Sequence, residues 1–470
     1  MEVTKVLPPG EEQDLDPSVL ANLISNAIYS TLRDLKDLSV PQYPKTVFRG
    51  DELGIGGYLI PSPSYREEVV RDRVEEIRRS VEPVALTNYI WDRGAMKQTL
   101  TGTDSDEDSW KDDWAGFIYD ELVYSPLLVA LEDSAIEQLV DYGKADTWVV
   151  DQEKIEKYIE EIVTLHCEHH EVITAFCPLK GLNLPTGACI EIASDIKLLG
   201  WGVRDRCVFM SRHYSEFFWD DFKSPLNVGA IAQVSNSTDM IKGGFLKPHP
   251  TVSLVADQLD LLKWGLFLAL DCDKPVAEGN CILFGALGKR VGKFRRDENI
   301  IGPALYSLDE LAASRCTELI QRSRNAMANG PDLKQAIRHF GRACIATLHR
   351  DILLESAIGL EFLLVPGPGD SRYRFWLHGS AILSNNNKQN RADLPERLRE
   401  IYDKRSKAAH GSLASVIERV AFNSRKMLAE AIGVIVALAL ANKLDLSRGI
   451  ATAVEQYVIE KATSKTTRST

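Results

Sequence analysis

The last third of the chain is a succession of segments in which apolar residues recur at the spacing of an α-helix. The pattern predicts helices at residues 308–327, 332–364, 375–383, 394–407, 413–444 and 447–461. Asp332 is the expected N-cap of the second helix, and two prolines and two glycines within residues 366–370 end it. Short connections between helices of this kind favour a mostly antiparallel bundle. The C-terminal third is therefore predicted to be all-α.

The chain upstream of this bundle has a different pattern. Short apolar or β-branched runs predict strands at residues 171–176, 188–194, 228–234 and 281–284. Helices are predicted among and before them, at residues 65–81, 115–143, 151–165, 212–222 and 252–270. With 470 residues, the chain is too long for one ordinary core. We expect an α+β multidomain protein with a mainly helical acidic region (1–150), an α+β region (151–300) and the helical bundle (301–470).

Charge is distributed unevenly between these regions. Residues 301–470 contain 24 Lys and Arg against 17 Asp and Glu, a balance of +7. The chain totals of 55 and 67 leave 31 against 50 for residues 1–300, a balance of −19. Neutralisation of phosphates supplies most of the non-specific affinity of proteins for nucleic acids. A nucleic-acid surface is therefore expected on the bundle rather than on the acidic part.

The positions of the cysteines and the hydropathy of the sequence indicate the cellular compartment of the protein. The eight cysteines are scattered without a CxxC pair, and the N-terminal residues are acidic and polar, unlike a signal peptide. The longest apolar run, residues 431–441, is too short to cross a bilayer. The sequence therefore predicts a cytoplasmic protein with reduced thiols and no membrane association.

One arginine and one histidine stand at the junction between two predicted helices of the bundle. The first helix has Leu394, Leu398 and Ile401 on one stripe with Tyr402, and it ends in the basic turn that contains Arg405. His410 follows, then a glycine suited to a left-handed C-cap and Ser412, the expected N-cap of the next helix. An arginine binds phosphate through a planar fork of donors, and a histidine moves protons near neutral pH. The pair thus fits cleavage of RNA, where the 2′-hydroxyl is an internal nucleophile.

Three stretches of the last third resemble the HEPN superfamily (higher eukaryotes and prokaryotes nucleotide-binding), in particular its Apea-like branch. They are residues 353–364 (LLESAIGLEFLL), 371–383 (SRYRFWLHGSAIL) and 401–411 (IYDKRSKAAHG). The third is similar to the family's Arg-x(4 to 6)-His motif, in which a polar residue often follows the arginine. The resemblance covers the last third of the chain and none of the first three hundred residues.

The resemblance implies a metal-independent endoribonuclease without a cofactor. Arg405 would stabilise the scissile phosphate, His410 would act as general acid or base, and Ser406 would be the polar helper. Glu361 would orient the arginine, with Tyr402 and Lys407 in supporting positions. The resemblance also implies an RNA substrate and a homodimer that pairs two motifs in one cleft. It further suggests an anti-phage, abortive-infection or toxin effector, in which residues 1–300 sense a phage or host trigger.

Other interpretations of these residues remain open at this point. The bundle is alternatively a non-catalytic module that dimerises, or binds RNA or nucleotide, while the N-terminal region performs recognition. The sequence favours neither of two possible metal sites. Residues 166–170 contain His166, Cys167 and His170, but Cys177 and Cys189 are only distant candidates to complete a zinc site. The acidic residues 101–113 lack the glycine and the final glutamate of a calcium-binding loop. Residues 285–296 predict a basic hairpin or turn rather than a P-loop.

Overall fold

The structure is a computed structural model. It describes residues 16–35, 48–49, 59–60, 127, 130, 151–167, 170–200, 202, 228–237, 250–272, 275–278, 281–284, 290–294, 306–328, 330–367, 370–385, 392–410 and 418–466. Helices account for most of these residues, and short strands for a smaller part.

The strands of the described residues form one larger sheet and two small pairings. The strands are β1 (Phe48–Arg49), β2 (Leu59–Ile60), β3 (His170–Lys180), β4 (Leu182–Asn183), β5 (Cys189–Ala193), β6 (Ile196–Gly200), β7 (Val228–Ser237), β8 (Ala277–Glu278), β9 (Cys281–Phe284), β10 (Arg290–Phe294) and β11 (Tyr306–Ser307). The larger sheet is antiparallel in the order β10–β9–β3–β7–β6–β5, and β8 pairs with the end of β3. Residues 175–179 of β3 are all buried, as expected of a central strand covered on both faces.

Ten α-helices are described. They are α1 (Pro17–Leu35), α2 (Gln152–Cys167), α3 (Pro250–Ala269), α4 (Glu310–Met327), α5 (Pro331–Ile345), α6 (His349–Leu364), α7 (Ser371–Leu383), α8 (Leu394–Ala409), α9 (Glu418–Leu440) and α10 (Ile450–Thr466). A short 3-10 helix, Leu446–Arg448, precedes α10. Helices α4 to α10 form the bundle, in which α6 packs against α5, α8, α9 and α10. The central position of α6 explains why both Leu353 and Leu360 are fully buried.

Helix α3 joins the sheet to the bundle. It packs on β7 and also against α4, α5 and α9. Trp264 of α3 is fully buried, and its Nε1 donates a hydrogen bond to the carbonyl oxygen of Ala429 in α9 at 3.1 Å. One continuous hydrophobic core therefore extends from the sheet into the bundle, across the predicted boundary at residue 300. The division into domains remains a sequence-based prediction.

Many of the predicted elements are confirmed. Strands are present at all four of the predicted positions, and helices at the predicted 151–165, 252–270, 308–327 and 394–407. Leu394, Leu398 and Ile401 are buried on one face of α8, as their spacing predicted. Strand β6, which pairs with β5 and β7 inside the sheet, was not predicted from the sequence. Its residues include a lysine and lie directly after a turn, so their pattern gave no strand signal on its own.

The prediction of one helix over residues 332–364 is wrong. The chain leaves the helical conformation at Ala346 and Leu348, both of which have extended backbone, and this separates α5 from α6. A single helix of that length would extend about 50 Å and could not fold its apolar stripes onto one core. The N-cap of α5 is Gly330, and Asp332 lies in the first turn. Helix α7 begins at Ser371 rather than 375.

Several predictions fall on residues outside the described set. They are the helices at 65–81 and 212–222, the acidic loop at 101–113, and the caps at Gly411 and Ser412. Of the predicted helix at 115–143, residues 127 and 130 are described, and both are helical.

Candidate functional site

Arg405 lies on α8 beside the face that is buried in the bundle. Its position follows from helical spacing, because Ile401 precedes it by four residues and Ala408 follows it by three, and both are buried. The Arg405 side chain is 28% exposed. The fold therefore holds this guanidinium partly inside the protein.

A carboxylate from a neighbouring helix fixes the guanidinium. Nη2 of Arg405 donates a hydrogen bond to Oε2 of Glu361 in α6 at 2.7 Å, within an ion pair. The two residues are 44 positions apart, so tertiary packing brings them together. Burial raises the pKa of Glu361 above its ordinary value, and the attraction of Arg405 offsets only part of that rise. The Nε atom of Arg405 is buried and has no hydrogen-bond partner, although the guanidinium is charged.

A cavity of about 740 Å³ opens in front of this ion pair. The end of α6, the start of α7, the side of α8 and the start of α10 form its walls. Its lining residues are Asp332, Ile358, Glu361, Phe362, Val365, Pro366, Gly367, Ser371, Tyr402, Arg405, Arg448, Gly449, Ala451 and Thr452. The volume is in the range of sites that hold small organic ligands. The walls combine apolar groups with two arginines and two carboxylates, a mixture suited to part of a nucleotide.

Among the polar residues of this cavity, Arg448, Ser371 and Asp332 were not predicted as site residues. Arg448 ends the 3-10 helix, and Ser371 begins α7. Asp332, which was predicted as a cap of its own helix, instead accepts a long hydrogen bond from the backbone N–H of Ile450 at 3.5 Å. The sharp turn before α10 uses Gly449 at a φ of 91°, a conformation that favours glycine. This glycine was the only local signal of the turn, and it does not indicate a cavity.

The predicted supporting residues divide between two faces of α8. Tyr402 lines the cavity, and its ring lies 5.4 Å from that of Phe375. Ser406 and Lys407 do not line it. The carbonyl oxygen of Ser406 instead accepts a hydrogen bond from the backbone N–H of His410 at 3.2 Å. Ser406 thus contributes to the end of the helix through its backbone.

His410 is the C-cap of α8, and its side chain is exposed. At 100° per residue, it lies about 140° around the helix axis from Arg405, with about 9 Å between the two Cα atoms. The imidazole does not line the cavity that contains Arg405. Within one chain, the fold therefore brings Arg405, Glu361 and Tyr402 together and places His410 on a different face.

The other histidines of the bundle have structural contacts. His378 is buried, and its Nδ1 donates to the carbonyl oxygen of Leu364 at 2.7 Å, which fixes α7 to the end of α6. Nδ1 of His339 lies 2.7 Å from Oε2 of Glu355. The His349 ring packs edge-on against Phe422. Among the described histidines of the bundle, His410 is the one with an exposed side chain.

A second cavity of about 390 Å³ lies between the sheet and helices α3, α4 and α5. Asp195, in the turn between β5 and β6, makes two hydrogen bonds with Arg324 at 2.7 and 3.0 Å. Asp257 likewise pairs with Arg338 and Lys334. The three cations and two carboxylates that line this cavity are all held in ion pairs.

Within the described ranges, no group of three or more His, Cys, Asp and Glu side chains is placed to hold a metal ion. The zinc alternative at residues 166–170 and the acidic loop at 101–113 lie partly or wholly outside those ranges. No helix of the described part is both long and apolar enough to span a membrane.

Comparison with known proteins gives no relative for this chain. No family model matches it, and neither curated proteins nor solved structures provide a match. The resemblance to the HEPN superfamily therefore stays an expectation drawn from the motif residues of the last third.

Proposed function

We propose that this protein is a metal-independent endoribonuclease of the HEPN type, with an α+β multidomain architecture that ends in an all-α HEPN bundle. The observation that carries the proposal is the position of Arg405. A carboxylate holds its guanidinium at 2.7 Å on the wall of an open cavity, and an exposed histidine ends the same helix. The Arg405 side chain is 28% exposed on that wall, and its charged guanidinium can donate there to a phosphate oxygen.

The chemistry requires only proton transfer and stabilisation of charge. The ribose 2′-oxygen attacks the adjacent phosphorus, and the bond from phosphorus to the 5′-oxygen breaks. One product ends in a 2′,3′-cyclic phosphate and the other begins with a 5′-hydroxyl. His410 accepts the proton of the nucleophile or supplies one to the leaving oxygen, and Arg405 stabilises the charge on the phosphorane. Ser406 and Lys407 lie beside them on α8 and assist.

The division of the motif between two faces supports a homodimer in this proposal. Arg405 and His410 of one chain are about 140° apart around the helix. A second copy that approaches the ends of α8 supplies the missing half, so that the arginine of one chain and the histidine of the other act on one phosphate. The resemblance to the superfamily implies the same pairing.

Residues 1–300 differ from the bundle in charge. Their balance of −19 contrasts with +7 for the bundle, so RNA is held by the bundle and repelled by the rest. We assign them the sensing of a phage or host trigger in a cytoplasmic defence, abortive-infection or toxin effector. This assignment depends on the resemblance and on the charge contrast.

The test is cleavage of RNA by the purified full-length protein in the presence of EDTA. The proposal expects products with 2′,3′-cyclic phosphate ends, and at least a 100-fold loss of rate in His410→Ala, in the range for general acid–base catalysis. Arg405→Ala is expected to lose a similar factor. Arg322→Ala is the matched control, because Arg322 is an exposed arginine of α4 that pairs with Glu318 in the same helix. Activity that persists in both Arg405→Ala and His410→Ala would contradict the proposal.

The alternative is a non-catalytic module that binds RNA or nucleotide. The absence of His410 from the lining of the arginine cavity favours it, because a binding cavity has no need of that histidine. This alternative expects no cleavage. If the protein is such a module, Arg405→Ala should bind nucleotide more weakly than the wild type, and His410→Ala should bind it with unchanged affinity.

A further inference from the structure

An exposed cluster of aromatic and arginine side chains lies on the outer surface of the hairpin formed by α7 and α8. Tyr373 is 53% exposed, and its ring meets that of Trp376 edge to face at 5.0 Å. The guanidinium of Arg399, on α8, lies over the Trp376 ring at 4.2 Å from its centre. We call these three residues the aromatic–arginine platform.

The platform is on the same side of α8 as His410. Arg399, Asp403, Ser406 and His410 follow one another at intervals of four, three and four residues, which places them on one stripe of the helix. An ion pair at 2.7 Å between Arg372 and Asp403 fixes this stripe to the start of α7. Arg399 and His410 are about 16 Å apart along the axis, a distance that a short single strand of RNA can cover.

The surrounding charge matches a polyanion. Helices α7 and α8 together contain seven Lys and Arg against three Asp and Glu. A purely structural cluster would need Arg399 against Trp376, but it would not need the ring of Tyr373 in solvent. Exposed aromatic rings beside arginines are the surfaces on which proteins stack the bases of single-stranded RNA.

We infer that the aromatic–arginine platform binds single-stranded RNA, with one base stacked on Tyr373 and another on the outer plane of Arg399, and leads the strand to His410. The inference rests on the proposed function, whose substrate it extends. The excess of Lys and Arg on α7 and α8 favours a polyanion as the occupant of the platform.

The experiment measures binding of a labelled single-stranded RNA of twelve nucleotides by fluorescence anisotropy, with the full-length His410→Ala protein as reference so that the strand stays intact. Tyr373→Ala in this background is expected to weaken binding roughly 5- to 100-fold, from a stacking contribution of one base. Tyr373→Phe keeps the ring and is expected to restore binding to within about 2-fold of the reference. Tyr29→Ala, which removes an exposed tyrosine from α1, is the matched control and is expected to bind like the reference.

A second probe separates stacking from charge. A strand of the same length with abasic sugars keeps its phosphates but has no bases to stack. Tyr373→Ala and the reference are expected to bind this strand equally. The inference would be overturned if Tyr373→Ala weakened binding of both strands equally. It would also be overturned if Tyr373→Ala bound the normal strand as tightly as the reference does, or if the reference bound no RNA.

Outcomes for the platform and for the nuclease remain distinguishable. Analytical ultracentrifugation tests whether Tyr373→Ala loses self-association. If it does, and its affinity for RNA is unchanged, the platform binds a second copy of the chain and the inference is overturned. If cleavage depends on His410 but RNA affinity does not depend on Tyr373, the platform fails and the nuclease stands. If Tyr373→Ala weakens RNA binding but no variant or wild-type protein cleaves RNA, the platform stands and the nuclease fails.

Discussion

Helices α3 and α5 approach each other so closely at Gly341 that an added methyl group has no room. A Cβ built on Gly341 would lie 2.0 Å from Oδ1 and 2.3 Å from Cγ of Asp260 in α3, well inside any real contact. Asp260 is buried and pairs at 3.2 Å with the buried Lys263, whose Nζ also donates to the carbonyl oxygen of Gly341 at 3.4 Å. Alanine at position 341 would therefore push the two helices apart or separate a buried ion pair.

The size of the stability loss in Gly341→Ala follows from these contacts. Overpacking a core costs about 1–3 kcal/mol, and breaking a buried ion pair costs about 3–5 kcal/mol. The better helix propensity of alanine returns about 1 kcal/mol. We expect Gly341→Ala to lower the free energy of unfolding by about 2–4 kcal/mol, since movement of the helices will relieve part of the clash.

Gly433 provides a matched control in α9. It is also a glycine inside a helix, but its added Cβ would lie 3.4 Å from Cδ1 of Leu268, an ordinary contact distance. Gly433→Ala is therefore expected to be neutral or to stabilise the protein by up to about 1 kcal/mol.

Both variants can be compared by urea denaturation followed by circular dichroism, which reports helix content. The two unfolding free energies are expected to differ by about 2–5 kcal/mol, with Gly341→Ala the less stable variant. If both substitutions change stability by less than about 0.5 kcal/mol, the close approach of α3 and α5 at Asp260 is wrong.

Three further predictions concern the ion pair and the thiols. A double-mutant cycle between Glu361→Ala and Arg405→Ala should give a coupling energy of about 2 kcal/mol, because this half-buried ion pair lies between surface pairs and fully buried pairs. A coupling energy below about 0.5 kcal/mol would refute the contact between Glu361 and Arg405. Burial raises the pKa of Glu361 in the folded protein, so the stability of the wild type relative to Glu361→Gln should be highest below pH 4.5, the ordinary pKa of glutamate. That relative stability should fall as the pH rises through the raised pKa of the folded protein. A rise in relative stability over the same pH range, measured by denaturation, would mean that the attraction of Arg405 outweighs burial. Burial raises the pKa of the Cys316 thiol to about 12. Alkylation at pH 8, followed by peptide mass spectrometry, should therefore modify the exposed Cys189 and leave Cys316 unmodified until the protein unfolds. Rapid modification of Cys316 in the folded protein would contradict its burial.

Local pattern was enough for those elements whose sequence and environment agree. The helix at 394–407 was predictable because its apolar residues repeat at 3.6 positions and the bundle buries that same stripe. Strands β3 and β9 were predictable because short apolar runs between turn residues suit a buried strand. Strand β6 was missed because it follows a two-residue turn, and only its pairing with two neighbours defines it.

The candidate site was predictable in its residue types but not in its arrangement. The sequence singled out Arg405, His410, Glu361 and Tyr402, and these residue types suggest phosphate binding and proton transfer. Helical geometry alone already separates Arg405 from His410, because five residues turn the chain about 140° around the axis. The predicted helix ended at residue 407, however, and the structure extends α8 to Ala409 with His410 as its C-cap.

The sequence by itself determined the helical character of the last third, the strands of the middle region, the contrast in charge between them and the chemistry of one arginine and one histidine. These are local properties, set by spacing of three or four residues, by alternation and by side-chain type. Only the tertiary structure decided that α3 packs into the bundle, that His410 lies outside the cavity of Arg405 and Glu361, and that Arg448 lines that cavity with them. Such contacts depend on how helices pack in three dimensions, and no periodicity along the chain encodes which faces meet.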